Sequence, residues 1–318
     1  MEYKTDGVQL MSETRIFFKV RDFKIKKKFA IIISNAFTLK WLRYLIRSLN
    51  IQKCRDSFAV IVVDYGNDFK KLKDLANKSV FDIIVISLKN IHGTANQRNI
   101  GVILANQYLK FDYLLFIDSD IVILDPSFYC KLKHIIEKVE LPAFTHVLFN
   151  SDGSIQWSHA ELIGPFLVEF KSLKKRYTAF LHGAFFSLKD DVAEMLLKSR
   201  KHLFPPLFLI SFDDYFLSLV LHSFNIQYFP VFNLTKIIHF GGSSLSRISE
   251  IRLREAMKNL LISFAFSKKT SVVGIISEYI VYSLLRYLLN GKFNIIKATK
   301  SLLQGLVLGI LYAKMMKP

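Results

Sequence analysis

A short apolar segment that ends in two aspartates constrains the fold of this chain more than any other stretch. Residues 113–117 form the kind of apolar run that makes a buried strand, and Asp118-Ser119-Asp120 follows it directly. In open α/β sheets, ligands bind at the carboxyl ends of the strands. Two neighbouring carboxylates repel each other unless a cation lies between them, and oxygen ligands favour Mg²⁺ or Mn²⁺. Taken alone, the motif indicates either a metal site at a strand end or an aspartate-rich turn.

The segments before this motif repeat the same arrangement of apolar and polar residues. Residues 29–34, 58–63 and 81–88 are apolar runs that end in polar residues, and helical patterns separate them. Strands that alternate with helices are typical of βαβ units, so the pattern predicts an α/β fold with a mostly parallel sheet flanked by helices. With 318 residues, the chain is long enough for one large domain or two smaller ones.

The charge and the cysteine content narrow the class of protein. The formal net charge is +18, which predicts an anionic partner such as nucleic acid, anionic lipid or a phosphorylated substrate. The basic residues accompany long apolar faces rather than a recognition motif, which argues against nucleic acid. The two cysteines, Cys54 and Cys130, lack metal-ligand or redox spacing, so we expect free thiols in a reducing compartment. The first residues contain no apolar segment typical of a signal peptide, which favours the cytoplasm.

Seven short segments of the chain carry further information: residues 29–35, 61–68, 96–101, 115–120, 182–186, 212–215 and 237–243. The first 245 residues resemble a family-2 GT-A glycosyltransferase, of the kind that assembles bacterial polysaccharides such as capsule and O-antigen. Three positions depart from the family pattern: residues 33–36 read Ile-Ser-Asn-Ala, Asp213 replaces a common glutamate, and Phe216 stands where a second acid is usual. The seven segments occur along the chain in the order known from that family.

The resemblance implies a role for each matching residue. The expected fold is GT-A, with a Rossmann-like sheet, and the expected cofactor is Mg²⁺ or Mn²⁺ bound by Asp118, Asp120 and His239. Asp214 is the expected general base of an inverting transfer. The other expected contacts are Ser34, Asn35, Asp64, Arg98, Asn99, Asp118 and Ser119 with a nucleotide-sugar donor, and Gly183 and Asp213 on the acceptor side.

Elementary chemistry agrees with these roles, although each residue also has a structural interpretation. A metal at the aspartates would neutralise charge on a leaving diphosphate, and a carboxylate in the apolar segment around Asp214 should have a raised pKa. Asp214 could instead cap a helix, and His239 could end a buried strand. Arg98 could pair with the diphosphate or form a surface salt bridge, and Asp64 could bind the base or form a turn.

The carboxyl-terminal residues have a composition of their own. Residues 251–318 carry eleven basic and two acidic side chains, a net charge of +9 and half of the total. Residues 271–289 have the length of a transmembrane segment, but Glu278 near the centre opposes that interpretation, because a carboxylate there costs about 3 kcal/mol. Residues 271–289 and 295–313 instead predict two basic amphipathic helices on an anionic membrane surface. The alternative is that both helices pack on the catalytic domain.

The predicted organisation has four parts, with an N-terminal extension (1–28), a donor-binding half (29–126), an acceptor-binding half (127–248) and a membrane-associating region (249–318). We expect a glycosyltransferase that moves a sugar from a nucleotide-sugar donor to a lipid-linked glycan acceptor, peripheral on the inner face of the cell membrane. Two alternatives stay open: an inactive membrane-bound scaffold of the same fold, and a sugar-phosphate nucleotidyltransferase. The nucleotidyltransferase would need a glycine-rich loop after the first strand, where residues 34–37 read Ser-Asn-Ala-Phe.

Overall fold

Four parallel strands form the half of the sheet that comes first in the chain. The computed structural model describes residues 14–22, 25–37, 39–89, 93–163, 166–206, 208, 213–240, 254–259, 261 and 295–315. The four parallel strands are β2 (Phe29–Ala36), β3 (Phe58–Tyr65), β4 (Asp82–Leu88) and β5 (Tyr113–Asp118), and β1 (Arg15–Lys19) lies at the edge. Their order in the sheet is β1-β4-β3-β2-β5, with β1 antiparallel to β4. The predicted parallel sheet is therefore confirmed.

Helices cover both faces of this sheet, which explains why its strands are apolar along their whole length. Alternate side chains belong to two apolar layers: Ile31 packs with Leu45 on one face, and Ile32 packs with Val102 on the other. The helices are α1 (Leu39–Asn50), α2 (Phe69–Asn77), α3 (Thr94–Tyr108), α4 (Phe128–Lys138), α5 (Asp190–Arg200), α6 (Asp213–Ser223) and α7 (Ile295–Met315), with a 3-10 turn at Arg55–Ser57.

The second half of the sheet is mixed. The remaining strands are β6 (Ile121–Ile123), β7 (Ala143–Phe149), β8 (Ile155–Trp157), β9 (His159–Ile163), β10 (Phe166–Phe170), β11 (Tyr177–Thr178), β12 (Phe185–Lys189) and β13 (Phe229–His239). Strand β12 lies antiparallel between β5 and β7, and β13 runs parallel to β7 and antiparallel to β6. Strands β9 and β10 form a separate antiparallel pair. This order brings the ends of β5 and β13 and the start of β12 to one region of the molecule.

A disulfide links the two cysteines, so the expectation of free thiols is wrong. Cys54 precedes the 3-10 turn and Cys130 lies on α4, with 5.4 Å between their Cα atoms. The two residues are separated by 76 positions in the sequence, and only the folding of α4 beside that turn brings them together. Local spacing, on which the prediction depended, carries no information about such a pair.

The carboxyl-terminal helix α7 confirms the helix predicted over residues 295–313, but its orientation is unexpected. Its small residues face the helical residues 254–259: a Cβ on Gly305 would lie 2.4 Å from the carbonyl oxygen of Arg254. The larger apolar side chains Leu303, Val307 and Ile310 are exposed. The other predicted helix, over residues 271–289, lies outside the described residues. Within the described parts of the chain, no helix is both long and apolar enough to span a bilayer.

The close approach of α3 to the sheet makes Gly101 sensitive to substitution. A Cβ at Gly101 would lie 2.4 Å from Cγ2 of Ile32, a branched side chain with little freedom to move. Replacing a mid-helix glycine by alanine raises the free energy of unfolding by about 0.5–1 kcal/mol, whereas overpacking a core lowers it by about 1–3 kcal/mol. We therefore expect Gly101→Ala to lower the free energy of unfolding by about 1 kcal/mol, measured by urea denaturation.

A double-mutant cycle provides the control for this expectation. Ile32→Ala removes the clashing methyl group, so Gly101→Ala should cost less in that background than in the native chain. If Gly101→Ala lowers the free energy of unfolding equally in both backgrounds, the contact between α3 and β2 is not the cause of the destabilisation.

Candidate active site

The candidate site lies where the chain reverses its direction across the sheet. After β2 the chain continues to β3 on one side, and after β5 it continues toward β12 and β7 on the other side. The crevice between the carboxyl ends of two such strands is the usual ligand site of open α/β sheets. Ser34 of β2 is paired in register with Asp118 of β5, and both Ser34 and Ser119 are buried. Four predicted site residues, Ser34, Asn35, Asp118 and Ser119, therefore flank one crevice.

Asp64 organises the turn at the end of the neighbouring strand β3. Its side chain is 0% exposed and accepts hydrogen bonds from the side chain of Asn35 at 2.5 Å and from the backbone N–H of Asn67 at 3.1 Å. Burial raises the pKa of Asp64, and its hydrogen bonds from Asn67 and Asn35 oppose that rise. The side chain of Gln97 donates to the carbonyl oxygen of Asn35 at 2.7 Å. Asp64 thus has the turn-forming role that the sequence left open, and its role in base recognition stays a prediction.

An exposed aromatic residue beside this turn was missed by the sequence analysis. Phe37 follows β2 with φ +57°, is 65% exposed, and its ring lies edge-on to Tyr65 at 5.0 Å between centroids. Gly66 has φ +87°, and a Cβ there would lie 2.1 Å from the Phe37 ring. A non-glycine residue in the left-handed region next to an obligatory glycine marks a locally strained turn. The sequence did contain a signal for Phe37, namely an aromatic residue directly after the strand whose end lines the crevice.

Three predicted metal ligands do come together. One ligand atom each from Asp118, Asp120 and His239 lies within 4.8 Å of the others. Strand β13 brings His239 opposite Ile121, the residue directly after Asp120. Nε2 of His239 lies 3.3 Å from Oδ1 of Asp120, and its Nδ1 lies 2.9 Å from the amide oxygen of Gln156. Two carboxylates and an oriented imidazole form a donor set that fits a divalent cation such as Mn²⁺.

The titration properties of this cluster also favour a cation. Burial raises the pKa of Asp118 to about 6; the nearby charge of Arg98 opposes this shift and that of Asp120 adds to it. Burial lowers the pKa of His239, but its hydrogen bond to Asp120 and the charges of Asp120 and Asp118 act in the other direction, and the net shift is upward. Burial is the main cause of the Asp118 shift, and the neighbouring carboxylates contribute to both upward shifts. A bound cation would compensate for this negative charge.

Arg98 connects the metal-ligand cluster to the predicted base. Its side chain is only 2% exposed, which rules out the surface salt bridge that the sequence left open. One terminal nitrogen is paired with Asp213, and the other donates to Asp118 at 2.9 Å and to the carbonyl oxygen of Gly183 at 2.6 Å. The guanidinium also lies over the ring of Phe186 at 5.3 Å. Both terminal nitrogens are therefore occupied by protein groups, and a contact of Arg98 with the diphosphate stays a prediction.

Asp214 lies at the start of α6 on the other side of this arginine. Its carboxylate accepts from the backbone N–H of Gly183 at 2.6 Å and of Tyr215 at 2.8 Å. Burial and the charge of Asp213 raise the pKa of Asp214 to about 7, while Arg98 and the two N–H donors lower it. A Cβ on Gly183 would lie 2.7 Å from Oδ2 of Asp214, so only glycine permits this approach. A carboxyl group with a pKa near neutrality has the properties of a general base.

Two further predicted positions have structural roles. The amide of Asn99 donates to the carbonyl oxygen of Phe204 at 2.7 Å and accepts from its N–H at 3.1 Å, which ties α3 to the loop around residue 204. Phe216 is buried, with the ring of Phe208 at 5.5 Å and the guanidinium of Arg200 at 4.7 Å. The position that usually holds a second acid therefore belongs to the apolar core in this chain.

His182 was also missed, because only its neighbour Gly183 was expected to act. Nδ1 of His182 accepts from the backbone N–H of Ala184 at 3.2 Å. Its ring lies 4.8 Å from that of Trp157 and 6.2 Å from that of His239. Burial, together with the charges of His239 and Arg98, lowers the pKa of His182 to about 3, so the ring is neutral. His182 is part of the motif of residues 182–186, and an imidazole in that motif could have been recognised from the sequence as a candidate site residue.

Comparisons with known proteins agree with this geometry. Residues 29–197, slightly more than half of the chain, match the family model "Glycosyl transferase family 2". No curated protein matches the chain at a significant level of sequence similarity. The solved structures described below are less than 25% identical to the chain, so they demonstrate a shared fold only.

Three solved structures illustrate that fold. The chain is similar to S. aureus TarS, with 17% identity, a TM-score of 0.53 and coverage of 82% of this chain but 43% of TarS. It is similar to the mannosyltransferase PcManGT from Pyrobaculum calidifontis, solved with GDP-Man and Mn²⁺, with 12% identity, a TM-score of 0.53 and coverage of 95% and 91%. It is also similar to GalNAc-T7, solved with UDP, GalNAc and Mn²⁺, with 13% identity, a TM-score of 0.50 and coverage of 74% and 48%.

The expected GT-A architecture, a mostly parallel sheet flanked by helices, is confirmed by these similarities and by the strand order. A candidate cation site lies at the strand ends of that fold, and a carboxyl group with a pKa near neutrality lies at the start of α6. Because the family model matches more than half of the length of the chain, the chain belongs to glycosyl transferase family 2.

Proposed function

We propose that the protein transfers a sugar, with inversion, from a nucleotide-sugar donor to a hydroxyl group of a glycan acceptor. The observation that carries this proposal is the buried Arg98, which bonds Asp118 of the metal-ligand cluster and the carbonyl oxygen of Gly183, whose own N–H bonds Asp214. A divalent-cation site and a carboxyl group poised to accept a proton are thus held at a fixed separation. Transfer from a nucleotide sugar needs both groups.

The donor occupies the crevice between β2 and β5 in this proposal. Asp118, Asp120 and His239 would hold Mg²⁺ or Mn²⁺, and the cation would neutralise the charge that develops on the leaving diphosphate. Asp64 and Asn35 line the neighbouring turn and have polar groups for the base or ribose. The two similar structures that contain Mn²⁺ support a metal here, since their fold is shared.

Asp214 completes the reaction on the acceptor side. Its carboxylate would take the proton of the acceptor hydroxyl while that oxygen attacks the anomeric carbon, and the bond from that carbon to the diphosphate breaks. Attack from the face opposite the leaving group inverts the configuration. The backbone donors of Gly183 and Tyr215 hold the carboxylate in one orientation.

The acceptor in this proposal is lipid-linked and reached at the inner face of the cell membrane. Helix α7 supports this assignment, because Leu303, Val307 and Ile310 are exposed together on one side. A groove of about 880 Å³ on this helix is lined by Arg254, Thr299, Lys300, Leu303, Gln304, Val307 and Leu308. Apolar side chains flanked by basic ones suit an anionic membrane surface. We assign residues 29–126 to the donor, 127–248 to the acceptor and 249–318 to the membrane.

Two alternatives are less well supported. A nucleotidyltransferase would need a glycine-rich loop after β2, whereas Phe37 occupies the position directly after that strand. An inactive scaffold was considered because Phe216 replaces an acid, but this side chain is buried among apolar residues. Asp213 and Asp214, the two acids next to it in the motif, are both retained, with contacts to Arg98 and Gly183.

Asp120→Ala should abolish metal-dependent chemistry. The substitution removes one of three ligands, so we expect loss of Mn²⁺ binding in calorimetry and loss of donor hydrolysis across a panel of UDP- and GDP-sugars. The fold should survive, because the bond from the N–H of Phe240 goes to the backbone oxygen of Asp120. Asp152→Ala, at an exposed acid in the β7–β8 turn, is the matched control. Full hydrolysis by the Asp120 variant with all metal chelated would refute the assignment.

Asp214→Asn should reduce turnover by about 10²–10⁴-fold, typical of the loss of a general base, with donor affinity nearly unchanged.

In the native protein, kcat/KM should rise about tenfold per pH unit up to the pKa of about 7 and level off above it, because only the ionised carboxylate of Asp214 accepts a proton. Steady-state kinetics between pH 5 and 9 measure both effects.

Thermal unfolding is the necessary control for this variant, since an asparagine amide can accept only one of the two backbone hydrogen bonds. Loss of donor affinity with preserved turnover would make Asp214 a binding residue and place the base elsewhere.

Leu303→Glu combined with Val307→Glu should release the protein from anionic vesicles. Each apolar side chain contributes about 1.5–3 kcal/mol when buried, so we expect the partition coefficient to fall about 100-fold or more in co-sedimentation with phosphatidylglycerol vesicles. Val139→Glu combined with Leu173→Glu is a matched control, since these side chains are 53% and 50% exposed and the pair on α7 is 56% exposed at each position.

Donor hydrolysis should be unchanged in both variants, because neither pair lies in the crevice. An equal loss of vesicle binding in both would show that α7 is not the attachment surface. Loss of hydrolysis in the α7 variant alone would show that this helix is needed for the catalytic domain rather than for the membrane.

A further inference from the structure

We infer that His182 donates a hydrogen bond from Nε2 to an oxygen substituent of the transferred sugar and so contributes to the choice of donor. This inference rests on the proposed function, because it requires a nucleotide sugar in the crevice. The evidence lies in the segment of residues 182–185, which connects the metal-ligand cluster to the base.

Backbone hydrogen bonds fix this segment at both ends. The N–H of Gly183 donates to Asp214 at 2.6 Å, and its carbonyl oxygen accepts from Arg98 at 2.6 Å. The carbonyl oxygen of Ala184 accepts from the N–H of Asp118 at 3.0 Å. The carbonyl oxygen of His182 accepts from the N–H of Phe185 at 3.1 Å. His182 therefore occupies a rigid position between the base and a metal ligand.

The hydrogen bond from Ala184 determines which ring nitrogen of His182 carries the proton. A backbone N–H can only donate, so Nδ1 must accept, and the proton of the neutral ring is on Nε2. Across the described residues, Nε2 of His182 has no hydrogen-bond partner, and the side chain is half-buried. The rings of Trp157 and His239 hold the imidazole at 4.8 Å and 6.2 Å. The result is a fixed N–H donor with unused hydrogen-bonding capacity.

The position of this donor identifies what it contacts. In an inverting transfer, the reacting sugar lies between the leaving diphosphate, at the metal, and the acceptor hydroxyl, at the base. His182 contacts the metal ligand His239 on one side and is adjacent to Gly183, which holds the base Asp214, on the other. A hydroxyl group or an amide carbonyl on the sugar ring can accept its proton. A polar donor of this kind discriminates strongly against a sugar that lacks the matching oxygen.

Three substitutions separate hydrogen bonding from packing. His182→Phe keeps a ring against Trp157 and removes the donor. His182→Asn keeps only an acceptor for the Ala184 N–H, since its amide oxygen can take the place of Nδ1. His182→Gln places an amide N–H near the Nε2 position. The experiment first finds, among UDP-glucose, UDP-galactose, UDP-N-acetylglucosamine and GDP-mannose, the donor that the native protein hydrolyses. It then measures kcat/KM for that donor and the Kd of the corresponding nucleoside diphosphate alone.

We expect the Phe and Asn variants to lose about 10- to 100-fold in kcat/KM, because a sugar oxygen is left without its donor, and the Gln variant to recover most of this loss. The affinity for UDP or GDP should not change, since neither contains the sugar. A deoxy analogue of the donor that lacks the contacted hydroxyl should be hydrolysed equally by the native protein and by the Phe variant.

Other results would overturn the inference. Equal kcat/KM in the native protein and the Phe variant, or equal loss in the Gln and Phe variants, would leave the Nε2 proton without a role. Weaker UDP or GDP binding, or a lower unfolding temperature that accounts for the loss, would make His182 a structural residue. If the native protein neither binds nor hydrolyses any of the four donors, the proposed function itself fails, and that result is distinct from failure of the His182 variants alone.

Discussion

The buried guanidinium of Arg98 is the interaction on which the arrangement of the site depends. A charged group removed from water is stable only when it is paired and hydrogen-bonded, and Asp118, Asp213 and the carbonyl oxygen of Gly183 provide this. These three partners belong to β5, α6 and the segment before β12. Any movement of one element relative to the others would break a buried ion pair, so Arg98 fixes the distance between the proposed metal site and the proposed base.

The same arginine does not neutralise the site. Four carboxylates, from Asp118, Asp120, Asp213 and Asp214, share one arginine and one histidine, and burial strengthens their mutual repulsion. Burial, together with the charges of the neighbouring carboxylates, raises the pKa of Asp118 to about 6 and that of Asp214 to about 7, although Arg98 opposes both shifts. The deficit of positive charge lies at the end of β5, where a bound cation would compensate for it. The carboxyl group with a pKa near neutrality lies at the start of α6, where the proposed reaction needs a proton acceptor.

Features that depend on neighbouring residues were predictable from the sequence, and features that depend on distant ones were not. Strands β2 to β5 follow from local apolar runs, and the ligands Asp118, Asp120 and His239 follow from motifs at strand ends. The burial of Arg98 depends on Asp213, which is 115 positions away, and the disulfide depends on a separation of 76 positions. Hydrophobic periodicity carries no information about such partners. Family resemblance located the cluster, but only the fold explains which group each side chain contacts.

The orientation of α7 shows how a periodic pattern can indicate a helix and still leave its contact face undetermined. The pattern over residues 295–313 predicted an amphipathic helix, which fits packing on the domain as well as it fits a membrane. In the structure, Lys300, Leu303 and Val307 line the same groove. Each glycine in a helix costs about 1 kcal/mol, so Gly305 and Gly309 need a compensating contact. The close approach of Gly305 to Arg254 and of Gly309 to Leu261 provides it, because a Cβ at either glycine would lie less than 3.0 Å from these residues. Leu302 is buried on the same side as the glycines, whereas Leu303, Val307 and Ile310 on the other side are exposed.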